Sequence, residues 1–373
     1  MKTSSRRILT THAGSLARPP ELVPLLDAQN EGAVDQDEFD RAAREAVQHV
    51  VKQQADAGIS IISDGEQSKR TFSTYVRQRL GGFGDEECVD MPISLDEREF
   101  PNWGYRHRKL VPCVAPIAWK DFSAVEKDIK NLQDASAAVP HEEVFMTSAS
   151  PGTVANFFPN QHYANREDYL EALANAMRRE YQAIVDGGFI LQVDCPDLAL
   201  RNFWFPDTTI EEFRGVVAGN VEALNHALSG IPESQVRLHL CWGAGETPKI
   251  FDVPLASIID VVLNAKVGAI SFVGANGRHE HEWRVWGEID LPEHMILIPG
   301  VIENSTNIVE HPDWVADRIV RYAGVVGRER VIAGVDCGFG TGASIRPGVD
   351  PPLAMAKLKA LSEGAEIASR QLW

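Results

Sequence analysis

Between residues 237 and 243 the chain reads RLHLCWG, and within it His239 and Cys241 stand two positions apart. If this apolar run is a strand, alternate side chains point to one side, so an imidazole and a thiol share one space. Those donor types suit Zn²⁺, which takes nitrogen and sulfur ligands tetrahedrally. Alone, the pair reads equally well as a buried polar couple, because an unoxidised cysteine often behaves as a small hydrophobe. Cys337 shifts that balance. It lies in RVIAGVDCGFG (330–340), again where an apolar run ends, with Gly338 and Gly340 allowing backbone to approach closely.

Eight apolar or β-branched runs end in polar, acidic or glycine-containing residues: 8–15, 59–66, 143–151, 189–197, 236–243, 269–276, 295–304 and 330–340. Amphipathic stretches with apolar spacing near 3.6 separate many of them, as at 35–58, 166–188 and 209–230, each closing at a glycine. Strand and helix alternating about eight times is the pattern of an α/β fold, a (β/α)8 TIM barrel. Chemistry in such barrels sits at the C-terminal strand ends. Those ends carry His12, Ser15, Asp64, Glu66, Asp194, His239, Cys241, Glu303, Asp336 and Cys337. An isolated Asp or Ser there more often caps the next helix.

A ninth strand-like run, KLVPCVAPIAW (109–119), is assigned to an accessory hairpin within an irregular insertion at 84–120. No linker-like tract, low-complexity block or internal repeat divides the chain, so residues 1–373 read as one domain.

Composition narrows the function. A net charge of −17 disfavours binding to phosphate backbones or anionic lipid, so neither nucleic acid nor membrane is an expected partner. No run approaches the ~18 apolar residues of a membrane span. The start, MKTSSRRILTTHAGS, lacks the apolar core of a signal peptide, and the five cysteines are odd in number and widely spaced. A soluble protein of the reducing cytoplasm, with thiols free for metal, is the expectation.

The motifs THAGSLARP (11–19), SDGEQ (63–67), LQVDCPDLA (191–199), HLC (239–241), ANGRHEHEW (275–283), PGVIENST (299–306) and DCGFG (336–340) run in one order through nearly the whole chain. Together they resemble the catalytic C-terminal barrel of the cobalamin-independent methionine synthases and the related zinc thiol alkyltransferases, which include epoxyalkane:coenzyme M transferase. The resemblance implies a Zn²⁺ ion held by His239, Cys241 and Cys337, at which a small-molecule thiol, homocysteine or a coenzyme M-like compound, becomes a zinc-bound thiolate. An alkyl donor, whether methylated folate, epoxide or other, then gives its alkyl group to sulfur. Gly14, Ser15, Glu66 and Asp194, with His12 beside them, match positions that hold the amino acid group of homocysteine.

Three departures bear on that transfer. The family's fourth ligand, a Glu, falls at Val273, which binds no metal; the site is then open, or Glu280, His279 or His281 moves in. A His proposed as general acid falls near Ser305, and a DEPAL-type motif becomes DCPDLA with Cys195 in place of Glu. These changes weaken the methyl-folate reaction, whose leaving group is poor, and little turnover is expected from methylated folate with homocysteine. His279, His281 and Glu303 are the candidate catalytic groups, the histidines as acids for a departing group. Lys69-Arg70 and the segment from Tyr105 to Lys109 are basic islands read chiefly as surface, with an anionic substrate as the other reading. A zinc hydrolase or lyase, or an inactive relative, is the alternative to an alkyltransferase.

Overall fold

The computed structural model describes residues 1–104 and 108–373. Among the described residues the strands are β1 (Leu9–Thr10), β2 (Ile61–Ile62), β3 (Leu80–Phe83), β4 (Val89–Asp90), β5 (Lys109–Leu110), β6 (Cys113–Trp119), β7 (Glu143–Ala149), β8 (Ile190–Asp194), β9 (Val236–Leu240), β10 (Ala269–Phe272), β11 (Ile296–Ile302) and β12 (Ile332–Val335). Each of the eight expected runs supplies one strand of a single parallel sheet, ordered β1-β12-β11-β10-β9-β8-β7-β2. Across the remaining gap the Ser60 N–H donates to Thr10 O at 3.2 Å and the Thr11 hydroxyl to Ile61 O at 3.1 Å. The sheet therefore nearly closes on itself, and the fold is a TIM barrel.

Helices surround it because parallel neighbours need long crossovers. Their limits follow local chemistry. Asp35 caps Gln36–Asp56 by accepting the N–H groups of Asp37 and Glu38, and Gly58 ends that segment at a φ of +82°. Asn165 caps Arg166–Asp186, and a Thr209/Glu212 capping box starts Ile210–Ala227.

Inside the barrel, residues two apart along each strand stack in layers. The lowest layer is apolar: Leu9, Ile61, Phe145, Ile190, Ala269, Ile296, Ile298 and Ile332 form one cluster. Above it polar groups take over. Arg237 Nε donates to Gln192 Oε1 at 2.8 Å, its Nη1 to the Thr11 hydroxyl at 3.1 Å, and its guanidinium lies 3.5 Å from the Phe145 ring centre. Higher still, strand register aligns Asp194, His239 and Ser271 across β8, β9 and β10.

The insertion is a hairpin, with β3 antiparallel to β6 and β4 to β5. It begins earlier than expected, at Leu80 rather than 84, because β3 reads LGGF and its two glycines hide a strand from propensity. Asn202, in the loop after β8, accepts the Leu95 N–H and donates to Asp96, each at 2.8 Å, and so seats the insertion on the C-terminal face. Tyr105, Arg106 and His107 of the basic segment lie outside the described residues. No helix among the described residues is long and apolar enough to cross a membrane.

Candidate metal centre

His239, Cys241 and Cys337 meet at the C-terminal mouth, buried, with their donor atoms all within 4.8 Å of one another. His239 and Cys241 face inward together because they stand two apart at the end of β9, and β12 delivers Cys337 from the far side. The two Sγ atoms are 3.1 Å apart, and all five cysteines are free thiols. His239 Nδ1 shares a hydrogen bond with Ser271 Oγ at 3.2 Å, while its buried Nε2 finds no partner among the described residues.

A buried ring nitrogen without a partner is destabilising, and an ion between it and two sulfurs removes that defect. The donor set of one imidazole and two thiols fits zinc. The electrostatics agree. Contact with the Cys337 thiol and with His239 pulls Cys241 well below the usual thiol range, whereas contact with Cys241 and burial push Cys337 up.

Val273, two residues beyond Ser271, is buried and offers no donor. Glu280 and Glu282 are engaged elsewhere. Glu280 lies 3.1 Å from Arg318 and 3.7 Å from Arg321. Glu282 accepts the Leu255 N–H at 2.7 Å and contacts His279 Nδ1 at 2.8 Å.

Neighbouring loops fix the cluster. Asp336 Oδ1 accepts the N–H groups of Gly274 and Ala275, both at 2.8 Å, and ties the end of β12 to that of β10. Burial raises this carboxyl to about 6. A Cβ at Gly300 would lie 2.0 Å from Asp336 Oδ1 and 2.7 Å from its backbone N, so that residue must be glycine. Arg18 straps three strand ends at once, donating to Leu16 O at 2.9 Å, to Lys69 O at 2.8 Å and to Gly340 O.

The residues expected to hold substrate line the same mouth but differ in availability. His12 is buried with both nitrogens used: Nδ1 accepts the Gly14 N–H at 3.2 Å, and Nε2 donates to Gln54 Oε1 at 2.8 Å. Burial lowers it to about 4, so it is neutral. Gly14, at a φ of +119°, leaves space filled by Thr147 and Glu66, and Ser15 packs against Gly338 beside Cys337. Glu66 accepts the Thr147 hydroxyl at 3.0 Å and lies 3.8 Å from Arg18; burial raises it while Lys69 and Arg18 pull it down. Asp194 accepts Gln192 Nε2 at 2.7 Å and is raised to about 7 by burial, against the pull of His239.

The candidate catalytic groups part company. His279 is buried between two carboxylates, Glu282 at 2.8 Å and Asp252 at 3.2 Å, and these overcome the burial that would lower it, so it is raised. His281 is exposed. Glu303 accepts the Ser305 hydroxyl at 2.5 Å and the N–H groups of Ser305 and Thr306, and these bonds outweigh burial to hold it ionised.

One reading is corrected. Lys69 is not surface: its side chain is 2% exposed, with Nζ 3.8 Å from Asp64 and 5.2 Å from the Tyr75 ring centre. Arg70 beside it is partly exposed and pairs with Asp27 at 2.5 Å. Sequence reasoning also passed over Ser271, Gln192, Arg237 and Arg18, whose roles arise between strands distant along the chain.

A parallel eight-stranded barrel with a His/Cys/Cys cluster at its mouth defines the class: a TIM-barrel protein with a candidate metal centre. No protein-family model matches the chain. The chain does resemble the B12-independent methionine synthases. It is 24% identical to the methionine synthase of Thermococcus kodakarensis over 364 residues, 97% of this chain and 94% of that protein. It is also 24% identical to that of Saccharolobus solfataricus over 235 residues, 63% of this chain and 62% of that one. Among solved structures, a B12-independent methionine synthase from Shewanella sp. W3-18-1 in complex with selenomethionine superposes with a TM-score of 0.77. That match covers 98% of this chain and 99% of the other at 20% identity, and is a likeness of fold.

Proposed function

We propose that the protein is a zinc-dependent transferase that moves a methyl or other alkyl group onto a small thiol. The observation that carries this is the convergence of His239, its Nε2 unpartnered, on two adjacent buried sulfurs, Cys241 and Cys337. Held by these three residues, a zinc ion would bring a thiol to its thiolate near neutral pH and leave one position open to it.

The chain's residues do the rest. Ser271 orients the His239 ring, and Asp194 and Glu66 present carboxylates toward an incoming ammonium. Sulfur attacks the alkyl carbon in line; the carbon–sulfur bond forms as the bond to nitrogen or oxygen breaks, and the leaving atom takes the electron pair and then a proton. Of the two candidate acids, His279 fits that last task, because Asp252 and Glu282 hold its ring and favour the protonated form against burial, whereas His281 is exposed. Zinc as cofactor and the cytoplasm as location belong to the same reading.

The names of the relatives, and the solved barrel bound to selenomethionine, favour homocysteine as acceptor. The changes at Val273, Cys195 and Ser305 bear on the donor, which is methylated folate, an epoxide or another small alkyl compound. The test has two arms. Purified protein should hold about one equivalent of zinc, most of it lost in Cys337→Ser. Homocysteine and coenzyme M are then each assayed with methylated folate and with small epoxides. Turnover of ~1 per second or more with one pair identifies the reaction. Full zinc retention in Cys337→Ser would overturn the assignment.

A further inference from the structure

We infer that Lys249 is a positioning residue for the metal centre: its buried ammonium clamps the turn that follows Cys241, and its backbone anchors that turn to the insertion. The inference rests on the metal reading above.

Residues 241 to 249 read CWGAGETPK and leave the end of β9 as a loop that turns back on itself. Lys249 closes it. Its Nζ donates to Trp242 O at 2.8 Å and to Gly243 O at 3.3 Å, while Asp252, 3.9 Å away, is too far for a hydrogen bond. This residue is 5% exposed, and with Asp252 balancing its charge at 3.9 Å it gives its hydrogen bonds to two carbonyls. Those carbonyls belong to the two residues directly after Cys241.

The consequence falls on Cys241. The Gly243 N–H donates to Cys241 Sγ at 3.2 Å from a residue with a φ of +88°. A carbonyl fixed by the ammonium on each side of this turn fixes the direction of that N–H, and hence the direction in which Sγ presents its remaining lone pairs.

Two further observations separate this from ordinary packing. Among the described residues only Glu66 and Lys249, apart from glycines, adopt a positive φ, +58° and +56°. For a long side chain that conformation is strained, and such strain persists where surroundings over-determine it, commonly at functional sites. The Lys249 N–H, moreover, donates to Asp96 Oδ2 at 3.1 Å, and Asp96, 3% exposed, belongs to the insertion helix seated on Asn202. Through one residue the insertion is tied to the loop that carries a metal ligand.

The test uses Co²⁺ in place of zinc on the full-length protein, with affinity read by chelator competition and the sulfur-to-cobalt charge-transfer band recorded. Lys249→Met should weaken cobalt binding about tenfold or more and shift that band. Lys249→Arg, which can reach the same carbonyls, should recover most of the affinity. Asp96→Ala, which keeps the ammonium but frees the loop from the insertion, should weaken binding in the same direction, and it carries the test if Lys249→Met does not fold. Melting temperature in excess chelator reads the fold separately. Wild-type affinity and an unmoved band in the folded variants would overturn the inference while leaving the metal reading intact. Failure of the wild type to take up cobalt would overturn both.

Discussion

Ser271 on β10 and His239 on β9 are register partners, and the Ser271 hydroxyl meets His239 Nδ1 at 3.2 Å. The bond fixes the ring so that Nε2 turns to the two sulfurs. Groups that orient a metal-binding histidine in this way are worth roughly 10–100-fold in metal affinity. Ser271→Ala is therefore expected to weaken zinc binding by about that factor with little change in melting temperature of the metal-free protein. Chelator competition checks it, and unchanged affinity would remove Ser271 from the account.

Val273 follows directly on the end of β10, two residues beyond Ser271, and offers no donor atom. Val273→Glu should supply a carboxylate beside Cys241, tighten metal retention and slow thiol turnover by filling the open position. The measurement pairs zinc dissociation with steady-state rate. Weaker retention in a folded variant would show that the site has no room for a fourth protein ligand.

Gly300 on β11 tests the scaffold beneath the cluster. Its missing Cβ is what lets Asp336 lie against the strand, with a would-be contact of 2.7 Å to Asp336 Cα. Gly300→Ala should cost about 1–3 kcal/mol through overpacking and, by displacing the neighbour of Cys337, should also lower zinc content. Urea unfolding and metal analysis of one preparation read both effects. Wild-type values for both would refute the contact.

His12 gives the pH dependence. Burial depresses its folded pKa from 6.5 to about 4, so between these values the unfolded chain binds more protons than the native one. Stability from this group is then fully present above pH ~6.5 and lost as pH falls through ~4, by about 3 kcal/mol in all. Urea midpoints measured from pH 7 to pH 4 should fall more steeply for wild type than for His12→Asn. Parallel slopes would place the acid sensitivity elsewhere.

Much of this was legible in the linear chain. Apolar runs ending in polar residues marked all eight barrel strands, because a strand buried on both sides is predominantly apolar until it emerges at the mouth. Caps such as Asp35 and stops such as Gly58 marked helix ends, because those turns are satisfied by residues within a few positions. The two-residue spacing of His239 and Cys241 announced that they face one way. What the chain alone could not supply was the set of meetings across the barrel: Ser271 against His239, Cys337 against Cys241, Arg237 through Gln192 to Asp194, and Lys249 folding back on Trp242. Lys69 reads as surface in SDGEQSKR and is buried at the mouth. Periodicity is a local property, set by backbone geometry over a turn or a pleat, and it fixes which side a residue faces. Which residue it faces depends on register, closure and loop path, and those are decided only when all eight strands share one core.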